Sequence, residues 1–559
     1  MMKSIQIITK FLTLAFAGSV ILVSCKKSVL DRPLDLDVQE ATIFANIVYT
    51  TDFVTNIYGG LPNGYTYFSS TLNECATDDA RNSNQANSSY RFTNGSWGYT
   101  ANADDIYKAT YGSIRNCNVF FENIYLVKVK DHSNDIIINN LKATEQRDRL
   151  TGEVFFLRAF YYFELLKRYG GVPLVTKTLT TKDNIDLPKN TFEEITAQIS
   201  KDCDSAFKRL PATYIGTSDN YYGRATKWSA QALKARTLLY AASPLNNPNR
   251  DVTKWNAAAN AAKPFFDGTA PFSLPSGISG YESVFKGNTS TNTEVIWSRP
   301  EANANYVERA NYPVGEFNGG GGVCPSQYLV DTYEMKDGLP ITQSPLYDAG
   351  RPYDNRDPRF ASTILYNGAS FKSRTIETFT GGADGPQKQN GTRTGYYMRK
   401  HMDLTLDLGA NSPGNSQHNW VHFRLAEMLL NYAEALNESN GPTGDVYLAI
   451  NKIRKRVNMP DLPNGLTQEQ MRDRIRNERR IELCFEGHRY WDARRWNIAT
   501  TVFNRSLKGM KVEKNGTTIS YTPYDLDNRI FTANMNRYPF QLSELQANPN
   551  LIQNEGWGK

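Results

Sequence analysis

This sequence predicts a mainly α-helical protein that carries an irregular, partly β insertion. Three observations predict it. Residues 153–169 are apolar around most of a helical circumference. Residues 420–438 and 445–457 read as two amphipathic helices parted by Gly441-Pro442-Thr443-Gly444, and residues 267–419 lose helical periodicity to glycine-rich runs.

The 559 residues are enough for several domains' worth of chain and a large core. A hydrophobic share of 40% and a charged share of 21% exclude a disordered acidic or basic tail protein. The net charge of +6 is too small for nucleic acid to be an expected partner, because phosphate binding needs concentrated basic charge.

Taken in order, residues 1–24 read as an export signal: Lys3 and Lys10 give positive charge, and 11–23 is a short, mostly apolar run. That run is too short to cross a bilayer, which takes about 20 residues. Leu22-Val23-Ser24-Cys25 resembles the lipobox of bacterial lipoproteins, which makes Cys25 the lipidated first residue of the mature chain. Residues 25–40 then form a tether. No later run is apolar enough for a membrane helix. Cys75, Cys117, Cys203, Cys324 and Cys484 are odd in number and widely spaced, so buried free thiols are expected rather than a disulfide framework or zinc ribbon.

Helical patterning starts at Ile43, yields to a loop-like stretch over 60–103, and returns at 104–127 and 141–169. Gly170-Gly171-Val172-Pro173 stops the last of these, glycine as C-cap and proline beyond it. Within 153–169, Glu153, Glu164, Lys167 and Arg168 fall in one narrow stripe. Arg158 lies outside it and requires a buried partner, most simply a carboxylate. Helices at 191–209, 224–242 and 251–266 complete an N-terminal region, 41–266. The insertion, 267–419, holds Gly319–Gly322, read as a flexible loop rim, and β-like stretches at 294–297 and 396–398. In the C-terminal helical region, 420–559, Arg424, Glu427, Asn431, Glu434 and Glu438 draw one polar helix face, and Gly487 divides a charged stretch at 467–496. Residues 41–559 are expected to pack as one unit.

The chain offers little chemistry. His418 and His422 would share a helix face, but Asn419 stands where a zinc protease needs a glutamate, and the chain has only 5 histidines, so no metal site is expected. Gly319–Gly322 lacks the Gly-Lys-Ser/Thr of a phosphate cradle, and no Gly-x-Ser-x-Gly elbow occurs. Asp78-Asp79 and Glu193-Glu194 are sequence neighbours, which point apart rather than flank a sugar. The arginines between 472 and 495 are interleaved by Glu478, Glu482, Glu486 and Asp492, which favours a structural ion-pair network over a nucleic-acid patch. No catalytic residue and no cofactor are expected; a structural calcium is compatible with the loops but not called for.

Several motifs, in order, resemble the RagB/SusD family of Bacteroidetes outer-membrane lipoproteins. They are 155–164 (Phe-Phe-Leu-Arg-Ala-Phe-Tyr-Tyr-Phe-Glu) with 168–174 (Arg-Tyr-Gly-Gly-Val-Pro-Leu), 224–227 (Arg-Ala-Thr-Lys) with 232–236, and 354–360 (Asp-Asn-Arg-Asp-Pro-Arg-Phe). Further along stand 423–435 (Phe-Arg-Leu-Ala-Glu-Met-Leu-Leu-Asn-Tyr-Ala-Glu-Ala) and 478–492, with Phe485-Glu486-Gly487-His488-Arg489 and Trp491-Asp492. The resemblance implies a SusD-like helical scaffold with tetratricopeptide-like helix pairs, anchored by lipid to the outer membrane and facing outward. It implies a TonB-dependent SusC-like transporter as partner and a nutrient ligand, usually a glycan, that is bound and not converted. The shared motifs are scaffold motifs and say little about the ligand.

Two loops have the chemistry a sugar wants, an aromatic face for its C–H surface and polar groups for its rim. The first, 74–99, holds Asp78, Asp79, Arg81, Asn82, Tyr90, Asn94 and Trp97; the second, 301–318, holds Tyr306, Arg309, Tyr312 and Phe317. Asp78, Arg81, Tyr90, Asn94, Trp97, Tyr306 and Tyr312 form the candidate ligand set, with Trp97 as the platform; the alternative is that Trp97 and Tyr306 pack their own loops. Covering ~60 Å² of sugar is worth about 1.5 kcal/mol, and a few charge-assisted hydrogen bonds add a similar amount. The sum corresponds to a dissociation constant nearer mM than nM. The expected function is a lipid-anchored surface protein that binds glycan and delivers it to the transporter. Capture of peptides or another nutrient is the alternative, and a surface glycoside hydrolase the third.

Overall fold

The computed structural model describes residues 40–558, apart from 69–70, 139, 215–220 and 410–412. Cys25, the export segment and nearly all of the tether lie outside the described residues. The helices that carry the fold are α1 (Ile47–Tyr58), α2 (Tyr107–Asn123), α3 (Ala143–Tyr169), α4 (Phe192–Arg209), α5 (Lys227–Ala242), α6 (Val252–Phe266), the short α7 (Tyr306–Asn311), α8 (Leu425–Asn440), α9 (Gly444–Arg456), α10 (Gln468–Glu482) and α11 (Arg489–Arg495). Four small antiparallel pairings matter here. β1 (Ala80–Asn82) joins β3 (Val323–Pro325), with Arg81 opposite Cys324. β2 (Val295–Arg299) joins β4 (Trp420–Arg424), with Phe423 opposite Trp297. β5 (Leu507–Asn515) and β6 (Thr518–Asp527) make a hairpin, and Tyr397–Met398 pairs with Ile364–Leu365.

Helix α3 is the hub. Its apolar side chains from Val154 to Leu166 are buried, except for half-buried Phe155. Gly170, at φ +75°, caps the helix by donating its N–H to Leu166 O. Arg158 finds the expected carboxylate: its guanidinium forks onto Asp202 at 2.8 and 2.9 Å and donates to Asn118 Oδ1 at 3.1 Å. The polar stripe does not face water. Glu153 receives Arg149 (2.7 Å) and Arg224 (2.9 Å), and Glu164 receives Lys167 (2.6 Å) and Arg168 (2.7 Å). From α3 the helices follow one another, α3 on α4, α4 on α5, α5 on α6, then α6 on α8 and α8 on α9 and α10. This is the expected succession of helix pairs. One cluster of buried side chains runs through it from Phe44 to Leu551. Cys75, Cys117, Cys203, Cys324 and Cys484 are buried and free, and among the described residues no helix is long and apolar enough to cross a membrane.

Four expectations are corrected. Residues 420–424 are strand, not helix; Arg424 is extended at φ −145°, and α8 begins only at Leu425. The aromatic and β-branched side chains of Trp420, Val421 and Phe423 suit a strand. His418 and His422 therefore share no helix face: His418 bonds Glu308 at 3.0 Å, and His422 stacks on Trp297 at 4.7 Å. The polar face of α8 points inward, where Glu427 holds Arg236 and Glu434 holds Arg495. The glycine run is a packed turn rather than a flexible rim, since a Cβ on Gly321 would lie 2.3 Å from Asn390 O. The region 420–559, expected to be helical, contains the β5–β6 hairpin, turned at Gly516 with φ +60°.

The arginine-rich stretch is an ion-pair network, as expected, but most partners are remote in sequence. Arg479 and Arg495 hold Asp492 locally. Glu478 instead takes Arg359 and Arg454; Glu482 takes Arg359, Arg424 and Arg456; Glu486 takes Lys400 and Arg424.

Candidate functional site

Residues 60–68 follow α1 on the way to β1. They seat where side chains leave no room: a Cβ on Gly60 would lie 2.5 Å from Ser113 Oγ of α2, and one on Gly64 would lie 2.1 Å from the Trp420 ring. Asn63 caps the tight turn Gly64–Thr66, its Oδ1 accepting from Tyr65 N at 3.0 Å. Its Nδ2 donates to Tyr306 OH at 3.2 Å. The turn stands as a ridge with a cleft on either side.

The first cleft encloses about 320 Å³ and is lined by Tyr65, Thr71, Leu72, Tyr306, Arg309 and Met398 among others. Helix α7 supplies its outer wall. Tyr306 is half-buried, its ring 6.2 Å from Tyr65 and edge-on to it. Arg309 is exposed and donates Nε–H to Asn305 Oδ1 at 2.9 Å. Beneath α7, buried Glu308 bonds His418 at 3.0 Å and accepts from Asp403 N at 2.8 Å, which ties the helix to the loop after His401.

Behind Tyr65, a neutral imidazole is held in place. His401 Nε2 lies 2.8 Å from Phe485 O, which can only accept, so Nε2 carries the hydrogen. Nδ1 is then the acceptor for Tyr65 OH at 3.3 Å. Burial, with the Lys400 ammonium beside it, pushes the His401 pKa down to about 3. Burial raises the Tyr65 hydroxyl well above its usual range.

The second cleft, about 240 Å³, lies across the ridge and is lined by Pro62, Asn63, Thr66, Tyr67, Ala109 and Ser113, with Arg168 at its base. The Arg168 guanidinium reaches Asp104 at 2.8 and 3.1 Å, Glu164 at 2.7 Å and Tyr67 OH at 2.9 Å. With Lys167 also on Glu164, the charges there neutralise one another and leave hydroxyl, amide and aromatic surface at the wall.

Of the seven candidate ligand residues, Tyr306 alone lines either cleft. Residues 71–82 are all buried, because β1 pairs with β3 and the C-terminal arginines close over the segment. Asp78 is 2% exposed and accepts from Arg480 (3.1 Å), Arg489 (2.9 Å) and Arg505 (3.1 Å). Burial alone would raise its pKa; the guanidiniums overcome that and hold the carboxyl well below the usual range. Asp79 takes Arg480 at 2.7 Å. Arg81 is buried on Asp527 (2.9 Å) and Tyr90 OH (2.5 Å), and Tyr90 OH donates to Asn82 O at 2.7 Å. Trp97 is 3% exposed, packed within about 5 Å of Phe92, Tyr538 and Trp557, and so is core rather than platform. Tyr312 is fully buried, with its hydroxyl donating to Asp403 O. Asn94 is exposed and accepts from Ser96 N, a turn-forming contact; Phe317 is exposed outside the cleft. The residues the sequence reading missed are Asn63, Tyr65 and Tyr67. Asn63-Gly64, a turn dipeptide followed at once by Tyr65 and Tyr67, was the available signal.

A family profile described as "SusD family" matches residues 281–557, and one described as "Starch-binding associating with outer membrane" matches 33–239. A SusD-like protein of Formosa agariphila is 30% identical over 375 residues, covering 63% of this chain and 67% of its own. The crystal structure of a SusD-like protein from Bacteroides fragilis superposes with a TM-score of 0.79 at 28% identity, covering 92% of this chain and 98% of that one. A SusD-like carbohydrate binding protein, also from Bacteroides fragilis, gives 0.75 at 25% identity over 91% and 100%.

Proposed function

We propose that this chain, which belongs to the SusD family, is a surface glycan-binding protein that seats a sugar chain in the first cleft. It is held to the outer membrane through lipid on Cys25 and delivers its ligand to a TonB-dependent SusC-like transporter without converting it. The observation that carries the reading is the wall of the first cleft, where half-buried Tyr306 and exposed Arg309 stand side by side on α7. The phenol ring gives a sugar's C–H face an apolar surface. The guanidinium gives its hydroxyls hydrogen-bond donors. The matched description of starch binding at the outer membrane and the carbohydrate-binding structural relative support the ligand class.

The groups near the cleft are built to hold shape. Glu308 is fully buried and engaged by His418 and the Asp403 N–H, so it braces α7 rather than facing a ligand. That arrangement favours capture and release over bond cleavage. Isothermal titration against starch, β-glucans, xylans, pectins and host glycans will find the ligand. Tyr306→Ala should then weaken binding about tenfold, the equivalent of the ~1.5 kcal/mol of sugar surface it covers. Unchanged affinity would remove the first cleft as the site.

A further inference from the structure

Resting on the first cleft as glycan site, we propose that the second cleft is a further subsite for the same ligand, so that the protein selects extended chains over short ones. The two clefts are opposite sides of one turn. Tyr65 faces the first and Thr66 and Tyr67 face the second, and Asn63 lines the second while its amide donates to Tyr306 of the first. Three residues of 3₁₀ turn span about 6 Å, roughly the breadth of one sugar ring. A chain seated on Tyr306, which Asn63 of the second cleft's wall touches at 3.2 Å, meets Thr66, Tyr67 and Ser113 where it continues past the turn.

The ridge is fixed in place to serve both sides. Gly60 and Gly64 lock it against α2, α3 and Trp420, and the Asn63 cap holds its crest. At the second cleft, Arg168 is engaged by Asp104, Glu164 and Tyr67, and Lys167 balances Glu164, so the wall presents no net charge and suits a neutral polyhydroxylated chain better than an anionic one. Thr66 and Ala109 are exposed and flank the entrance.

The test uses the full-length chain and graded malto-oligosaccharides and laminari-oligosaccharides, from disaccharide to octasaccharide, by titration calorimetry. Affinity should rise about tenfold or more with length before it levels. Ala109→Trp, which fills the second cleft from its exposed side, should bring the long oligomers down to the short-oligomer affinity; Thr66→Arg should do the same from the ridge. Affinity independent of length, or length dependence that survives both substitutions, overturns the proposal. Tyr306→Ala separates it from the reading beneath it. That variant should weaken every length, and if it leaves all lengths intact while Ala109→Trp does not, the first cleft fails and the second alone is the site. Binding of neither series at any length counts against both.

Discussion

Two aromatic residues in polar loops, Trp97 and Tyr306, met opposite fates. Trp97 went inside because Tyr538 and Trp557, 441 and 460 residues away, closed over it. Tyr306 stayed at a wall because α7 is held from beneath by Glu308. Local composition was alike for both, so their loops could be named from sequence but their fates could not. The same scale governs the response to pH. His401 and His422 are buried, and burial pushes each down to about 3 from a usual 6.5. As pH falls below about 6.5 the unfolded chain takes up protons first, so each histidine removes stability, by up to about 1.4 kcal/mol per pH unit. Glu74 acts in the other direction. Burial raises its carboxyl to about 8 although it accepts from Gly487 N at 2.6 Å. From about 4.5 up to about 8 the unfolded chain releases this proton first, and stability falls as pH rises. His488, which burial beside Arg479 holds well below its usual range, acts as the other two do, so three histidines against one glutamate predict a net gain from pH 4.5 to 6.5 and a loss from 6.5 to 8. Urea denaturation across that range should show a maximum near pH 6.5; stability climbing steadily to pH 8 would contradict the assignment.

At the level of elements, the helices from α3 to α6 were legible because periodicity, caps and stops agreed. Thr191 and Glu194 close a reciprocal cap on α4, and Gly170-Gly171-Val172-Pro173 ends α3. Thr191→Ala should cost about 1 kcal/mol, read as a shift in denaturation midpoint, whereas Thr191→Asp should retain most of the stability. A loss confined to neither variant would mean the cap is idle. The hairpin β5–β6 was missed although its signal was present: Val512, Ile519 and Tyr521 alternate with polar residues around Asn515-Gly516. The strand at 420–424 was hidden for a different reason. It runs directly into α8 without a break, and only its partner Val295–Arg299 reveals it.

Across the whole molecule, buried charge joins what the sequence divides. Arg424 touches Glu294, Glu482 and Glu486, each at 2.6 Å, and so links the insertion to the start and the middle of the C-terminal region. Glu482 adds Arg359 and Arg456. Truncating Arg424 to alanine would take one cation from three buried carboxylates, leaving Glu294 to Arg456, Glu482 to Arg359 and Arg456, and Glu486 to Lys400, and should cost about 3 kcal/mol. The loss should appear as one cooperative transition, coincident by tryptophan fluorescence and near-ultraviolet circular dichroism; separate transitions would mean the regions fold independently. Such a network is visible in sequence only as an abundance of arginine and glutamate, because the identity of each pair is set by the tertiary fold.

The clasp on Asp78 carries a consequence for biogenesis. Its arginines lie 402, 411 and 427 positions downstream. A ribosome must finish nearly the entire polypeptide before that carboxylate is neutralised, and until then the stretch bearing it has no stable burial place. The segment around Asp78 is accordingly among the last parts to settle after synthesis, and a nascent chain cut short before Arg480 emerges holds an incomplete fold however many of its helices have formed.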